Sequence, residues 1–594
     1  MRAAVYITYF ELFDRHPSQD ELNGLIGGMN ATRTVVIASR LNTMFRRSIS
    51  LKDPRQVLNF QSWFVQTFFD DETKKRFVTR FGNENPNQRP VLHPIQLLNI
   101  VRVALAVGTG EEDTTAELAV GDRHKFGTAC LMMNDLFCTV EERQKIQTGS
   151  QDDVMKHLIL QLLAVGEVSN PTPFRNLLIR SYYLYRIALQ APEIVATIRK
   201  ECEGLDFEAH FEKVSGIPLQ GWLSLVIGLY TFLISHSLEE FVRSPDVYVV
   251  NRKTILKDPA LSAAQLDSFF GPLSSSFEEL RTELAEKTKH PVDERFNLVP
   301  FMAKPFLTFA PERSICVDVA LLSEKLNHGP YFLFRSLLSE NKRGPVFKAW
   351  GILFESYVHW LLQGLKDRHG ALFYQDTRWD HNDNKSFDGV FIKKRLVVVM
   401  EFKSGFLTEE ARYSNNANTF MEDVDNRIGV ACKQLARDTA LLLPESGAGK
   451  KLRDVPVPPN AEWILPVLIV QDLVLRTPFI NHFLNKRFQA ERKQYPTSSK
   501  VEVLPLNVIQ ISTLESLVEM GETFNLDVMS VLHRRCRTDP LMMQELQSFI
   551  SDLPEAKQPR CSERFQRVFE KSRDEMSAML FKGQATRAEE SDKH

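Results

Sequence analysis

Three residue types in one short stretch could together act on a phosphate ester. The stretch beginning at Ser386 reads SFDGVFIKKRLVVVMEFKSG, and it carries Asp388, Glu401 and Lys403. Its apolar run from Leu396 to Met400 reads as a strand built for the interior, yet it ends in Glu401, Phe402 and Lys403. If SFDGVFI and RLVVVMEFK pair as a hairpin with Lys394 and Arg395 at the tip, paired positions sum to 789, as 388 and 401 do. Asp388 then opposes Glu401 on one face, with Cβ atoms roughly 4.5–5.5 Å apart. Lys403, two residues beyond Glu401, shares that face. Like charges placed opposite each other destabilise a hairpin unless something compensates. A divalent cation compensates, because two carboxylates make the partial oxygen shell that Mg²⁺ uses while leaving positions for water and phosphate. A neighbouring ammonium can hold a phosphate oxygen or the attacking water. Acid, acid, base and metal suit phosphodiester hydrolysis.

The elements that must position these groups follow from the hydrophobic pattern. VFKAWGILFESYVHWLLQGL, from Val346, is an amphipathic helix. ALFYQDTRW reads as a strand, the two hairpin segments as two more, and 424–443 as a helix. WILPVLIVQ and VEVLPLNVIQIS read as further strands, and TLESLVEM begins a helix. Helix, three strands, helix, two strands and helix make a mixed α/β sheet layered by helices.

Asp388 followed on the next strand by Glu401-Phe402-Lys403 resembles the PD-(D/E)xK nuclease superfamily, with its restriction-endonuclease-like fold. The order of elements from 346 to about 515 is similar as well. The resemblance implies Mg²⁺ as cofactor, with Mn²⁺ able to substitute, held by Asp388, Glu401 and the Phe402 carbonyl. In that family a helix before the first strand often carries a further Glu; here it is Glu355, among the apolar Ile352, Val358 and Leu362. Several branches place a Gln on the helix after the ExK strand, and Gln434 in CKQLARD matches. Phe387 stands where the motif has Pro. The implied activity is a metal-dependent deoxyribonuclease cutting DNA, duplex by analogy, to leave a 5′-phosphate. The alternative is a catalytically inactive nuclease fold that binds nucleic acid or assembles with other chains. A third reading makes 386–403 a plain core hairpin in which Glu401 and Lys403 form an ordinary ion pair.

DNA contact would draw on Lys393, Lys394 and Arg395 at the tip, Arg427, Lys433 and Arg437 on the following helix, and NKRFQAERK at 485–493. Positions 433 and 437 share a helix face with 430 and 434. The whole chain offers no global pull on a polyanion or a membrane: 73 Lys and Arg face 75 Asp and Glu, for a formal net charge of −2. Affinity for DNA is therefore expected to be modest and salt-sensitive.

The 594 residues are too many for one core. The expected divisions are a helical domain at 1–245, a connecting region of short elements at 246–345, the nuclease-like domain at 346–550, and a charged tail at 551–594 with a disordered end. PIQLLNIVRVALAVG (94–108), QDDVMKHLILQLLAVGEV (151–168) and FRNLLIRSYYLYRIAL (174–189) have helical spacing, and Ser18 and Asn170 suit helix caps. Such a helical region suggests sensing, targeting, or contact with a protein partner or a second copy. The combination looks similar, at fold level only, to bacterial phage-defence or mobile-element nucleases. Val214 to Leu238 is uncharged, but its apolar stretch from Trp222 to Ile234 falls short of the roughly 20 residues that span a bilayer, so a buried helix is expected and no membrane. Seven scattered cysteines with no CxxC pair read as reduced thiols of a cytoplasmic protein. Glu11 and Asp14 come too early for a secretory leader. GTGEEDTTAE (108–117) reads as a solvated acidic loop. ESGAGKK (445–451) lacks the spacing and strand context of a phosphate loop, and neither HExxH nor GxSxG occurs.

Overall fold

The computed structural model describes residues 6–50, 54–82, 89–110, 118–137, 148–169, 171–244, 246–252, 262–285, 295, 298–380, 384–443, 451–560 and 562–575. Most of the acidic loop at 108–117, the Gly-containing 444–450, the proposed cap Asn170, Cys138, Cys561 and the end of the tail from 576 lie outside the described residues.

The first part is helical. Ser18 closes a capping box with Glu21 at the helix Gln19–Gly27. The long helices α1 (Ala31–Ser50) and α2 (Pro94–Val107) pack along each other, and α2 starts with proline in its first turn. The segment expected as one helix over 174–189 is α-helical only over α3 (Phe174–Tyr182). It then widens into a π turn at Tyr183–Ile187 and tightens into a 3₁₀ turn at Ala188–Gln190. This lets the Tyr183 hydroxyl reach the Ser356 carbonyl at 3.2 Å and the Tyr185 hydroxyl the Asn327 carbonyl at 2.6 Å. The uncharged stretch forms α4 (Leu219–Ser235), with Trp222, Leu223, Val226 and Leu233 buried. Among the described residues no single helix is long and apolar enough to cross a membrane. Only the pair Phe207–Ser215 and α4, bent by 68°, passes by length and composition. The five described cysteines are buried and free.

The proline-broken region holds a small sheet of β1 (Val249–Asn251), β2 (Ser274–Ser276), β3 (Phe306–Ala310) and β4 (Arg313–Cys316), in the order β1-β4-β3-β2. It is followed by α5 (Gly329–Leu337).

Next comes α6 (Arg343–Gln363), whose Val346, Trp350, Leu353, Tyr357 and Leu361 recur at three- and four-residue spacing on its buried side. Then come β5 (Leu372–Gln375), β6 (Gly389–Lys393) and β7 (Leu396–Lys403), an antiparallel meander. After α7 (Ala417–Val424), a π turn at Asp425–Gly429 and α8 (Val430–Leu441), β8 (Trp463–Val470) returns parallel to β7. The helix α9 (Ile480–Arg492) separates β8 from β9 (Glu502–Val503) and β10 (Asn507–Gln510), and α10 (Ile511–Phe524) and α11 (Val528–Thr538) follow. The strand order is β10-β8-β7-β6-β5, with β9 beside β8.

The central strand β7 is buried along its length except at Lys403, because both its faces are covered. Leu396, Val398, Met400 and Phe402 join the core that contains α6, while Val397 and Val399 point to α8 and α9. Period-two alternation therefore puts Glu401 and Lys403 on the α8 side.

Three local expectations change. Of ALFYQDTRW only β5 pairs as a strand; Asp376 takes a left-handed conformation (φ 49°) and turns the chain, leaving Arg378 and Trp379 in isolated bridges. VEVLPLNVIQIS divides into β9 and β10 around Pro505, which has no N–H for a ladder. The basic run at 485–493 lies in α9, the crossover that two parallel strands require.

Buried ion pairs tie the early helices to later elements. Arg46 Nη2 meets Asp318 Oδ2 at 2.6 Å, and Arg180 Nε meets Glu515 Oε1 at 2.7 Å. One apolar cluster runs from Ile7 to Phe565 through both regions.

Candidate active site

Over its ladder the hairpin has the expected register, but the pair expected of Asp388 with Glu401 lies beyond that ladder, where Asp388 shifts by one residue. Gly389 pairs with Met400 and Lys393 with Leu396, positions that sum to 789, and Lys394 and Arg395 form the tip. Lys394 turns there with φ 52°, a conformation lysine adopts at a cost. The regular ladder stops at Gly389. Asp388 then donates its N–H to the Met400 carbonyl (3.0 Å) and accepts the Phe402 N–H on Oδ2 (2.7 Å). Its carboxylate is thus fixed against the backbone of β7. The Met400 carbonyl faces β6, so alternation turns the Phe402 carbonyl to the same edge, just past the end of the ladder.

Glu401, only 3% exposed, is held by two side chains. Lys403 Nζ donates to Oε1 at 2.7 Å, and Gln434 Nε2 of α8 donates to Oε2 at 3.1 Å. The ion pair and the polar site coexist, since Lys403 remains partly exposed.

Glu355 enters from α6. It meets Lys385, whose Nζ lies 2.5 Å from Glu355 Oε1, 2.9 Å from Asp388 Oδ1 and 3.3 Å from Asp376 Oδ1. His359, one turn after Glu355, brings Nε2 to 2.8 Å from the Asp388 carbonyl. Ligand atoms of Glu355, His359 and Asp376 all lie within 4.8 Å of one another.

The crowding shows in the acid strengths. Burial, and then the charge of Asp388, push Glu401 up to about 7, against the opposing pull of Lys403 and Lys385. Burial and Asp388 likewise push Glu355 up to about 7. Burial would also raise Asp376, but hydrogen bonding with Glu355 and the charges of His359 and Lys385 outweigh it and lower its pKa. Lys385 is held above the ordinary lysine range; burial works against it, and Asp388 and Glu355 more than offset that.

Asp388, Glu401, Lys403, Glu355, Gln434 and the Phe402 backbone therefore meet at one end of the sheet. The tip residues do not join them: Leu396 is roughly 17 Å along the strand from Glu401 at about 3.3 Å per residue. Lys393 Nζ pairs with Asp527, the residue that caps the N-terminus of α11, and with Ser530 Oγ (2.9 Å), and Arg395 pairs with Glu462. Arg427 pairs with Asp423 (2.8 Å) and Arg437 with Asp438 (2.6 Å). Lys433 lines a shallow hollow of about 550 Å³ with Asp425, Glu422 and Arg487. In the 485–493 run, Lys486 pairs with Asp152 (3.0 Å).

Sequence reasoning missed Asp376 and Lys385 and gave His359 no role in the site. A signal existed for His359, four residues after Glu355 on the same helix face. Lys385, three residues before Asp388, had none beyond proximity.

Among the described residues, the three groups whose ligand atoms lie close enough to hold a metal ion are two carboxylates and one imidazole, Glu355, Asp376 and His359, a set without a thiolate that does not include Asp388 or Glu401. Compared with protein-family models, with curated proteins and with solved structures, the chain matches none.

Proposed function

We propose that this chain is a Mg²⁺-dependent phosphodiesterase acting on DNA, with a restriction-endonuclease-like catalytic domain. One observation carries the reading. Four carboxyls (Glu355, Asp376, Asp388 and Glu401) share one end of the sheet with two ammonium groups, Lys385 and Lys403. With all four ionised, the excess of two negative charges equals the charge of one divalent cation, and burial and the charge of Asp388 push Glu355 and Glu401 up to about 7. Acids whose titration is displaced by burial and a specific charged neighbour mark a functional candidate. The strand order, with an antiparallel meander leading into a parallel crossover, supports the superfamily resemblance. That resemblance supports DNA, and Mn²⁺ as a substitute metal.

Asp388, Glu401 and the Phe402 carbonyl would hold the cation, with Glu355 as a further ligand. When bound, the cation supplies Lewis-acid polarisation of the phosphate and a more acidic water. Gln434 fixes the rotamer of Glu401 through Oε2. The Lys403 ammonium, on the same face as Glu401, stabilises negative charge developing on the phosphate oxygens. Tyr357, two residues from Glu355 on α6, donates to Glu515 (2.8 Å), which also receives Arg180 of the early helices. That buried link supports a sensing or targeting role for the helical part, or a protein partner or second copy acting through it.

A second reading, an inert nuclease fold serving binding or assembly, draws on Lys385, which already neutralises part of the cage. Plasmid nicking separates the two. The enzyme reading expects nicking with Mg²⁺, none with chelator, and a loss of about a hundredfold or more in Lys403→Ala and Asp388→Asn. A wild-type chain that binds plasmid but never nicks it leaves the assembly reading standing.

A further inference from the structure

Lys385 sits where no counter-ion was expected. It lies on the segment that leads into Asp388 and is held by the Arg378–Lys385 bridge. An ammonium has three N–H donors, and Glu355, Asp388 and Asp376 supply three carboxylate acceptors. The neighbouring oxygens are also engaged. Asp388 gives Oδ2 to the Phe402 N–H and Oδ1 to Lys385, while Glu401 gives Oε1 to Lys403 and Oε2 to Gln434. A metal ion and an ammonium therefore compete for the same Asp388 and Glu355 oxygens, and their like charges forbid close sharing of one cage. The Lys385 side chain is 43% exposed, so it can leave the cage for solvent without breaking the core.

We propose that Lys385 is a resident place-holder for the divalent cation: metal enters by displacing its ammonium from Asp388 and Glu355, and this competition sets the metal affinity of the site. The inference rests on the metal-dependent reading above. It makes Lys385 a positioning and gating residue rather than a catalytic one. It also gives the lysine a second effect, the screening of the acids until an ion arrives.

The test is Mn²⁺ binding to the full chain by titration calorimetry, with melting curves in chelator. Lys385→Ala should bind Mn²⁺ at least tenfold more tightly than wild type, because a competing cation is gone. Its melting temperature should fall in chelator and recover with Mn²⁺. Lys385→Arg, which keeps the charge and guards against a folding artefact, should bind no more tightly than wild type. Equal or weaker binding by a folded Lys385→Ala, with wild type binding normally, overturns the place-holder while leaving the metal reading intact. Absence of binding in wild type and Lys385→Ala alike overturns the metal reading itself, and Asp388→Asn serves as the ligand-loss control.

Discussion

Glu401→Gln tests the claim that the site stores uncompensated charge. A carboxyl that titrates near 4.5 in the open chain and near 7 in the fold is favoured there in its protonated form. Below about pH 4.5 it is protonated in both states and costs nothing. Between those values the fold binds the extra proton, so stability falls as pH rises, and above 7 the full penalty applies. At about 1.4 kcal/mol for each pH unit, the penalty is about 3 kcal/mol. Glutamine keeps the shape and an acceptor for Lys403, and Gln434 can turn its amide to present its oxygen to the new donor. The metal-free variant should therefore gain on wild type as pH rises, with little difference near pH 5 and about 3 kcal/mol at pH 8. Unfolding entropy of about 2.1 cal/mol/K per residue over 594 residues makes that about 2 °C for a single melting transition. Thermal melts in chelator at the two pH values measure it. With Mn²⁺ the order should reverse at pH 8, since only wild type keeps the ligand. A variant that is destabilised equally at both pH values would refute the reasoning, because Lys403 and Gln434 would then fully compensate the carboxylate.

Other outcomes follow from the same geometry. Lys403→Ala should lose plasmid nicking by about a hundredfold or more while Mn²⁺ titration still shows binding, since the amine stabilises charge rather than ligating metal. Lys394→Gly relieves the left-handed turn residue and should stabilise the hairpin by about 0.5–1 kcal/mol, read as a raised denaturant midpoint. Glu515→Ala removes the acceptor of buried Arg180 and of Tyr357 and should destabilise by about 3–5 kcal/mol, visible in denaturant unfolding. Lys393→Ala should weaken DNA binding little, because its amine already serves Asp527; a large loss in a gel-shift titration would contradict that placement.

The hairpin was legible in advance because a strand has a period of two and a buried strand tolerates no slip. A register moved by one would have driven Val397 and Val399 to the wrong layer and the charges with them. The helix carrying Glu355 was legible because its apolar spacing runs unbroken from Val346 to Leu362. Legibility failed where two signals overlapped. In α9 the basic residues of the outer face hid the Ile480, Leu484 and Phe488 stripe that packs beneath them. In ALFYQDTRW a plausible strand pattern hid the turn at Asp376.

The sequence by itself determined the two-residue tip and the register of the hairpin from Lys393–Leu396 back to Gly389–Met400, since those depend only on local periodicity. Lys403, two residues away, pairs with Glu401, but tertiary structure alone decided what neutralises Asp388 and Glu355. Lys385 and Asp376 reach the cage through a turned loop, and Lys393 leaves the polyanion-binding candidates because the cap of α11, more than a hundred residues later, is Asp527. Charge pairing acts through space over a few ångströms, so its partners are chosen by the packing of distant segments and not by their spacing along the chain.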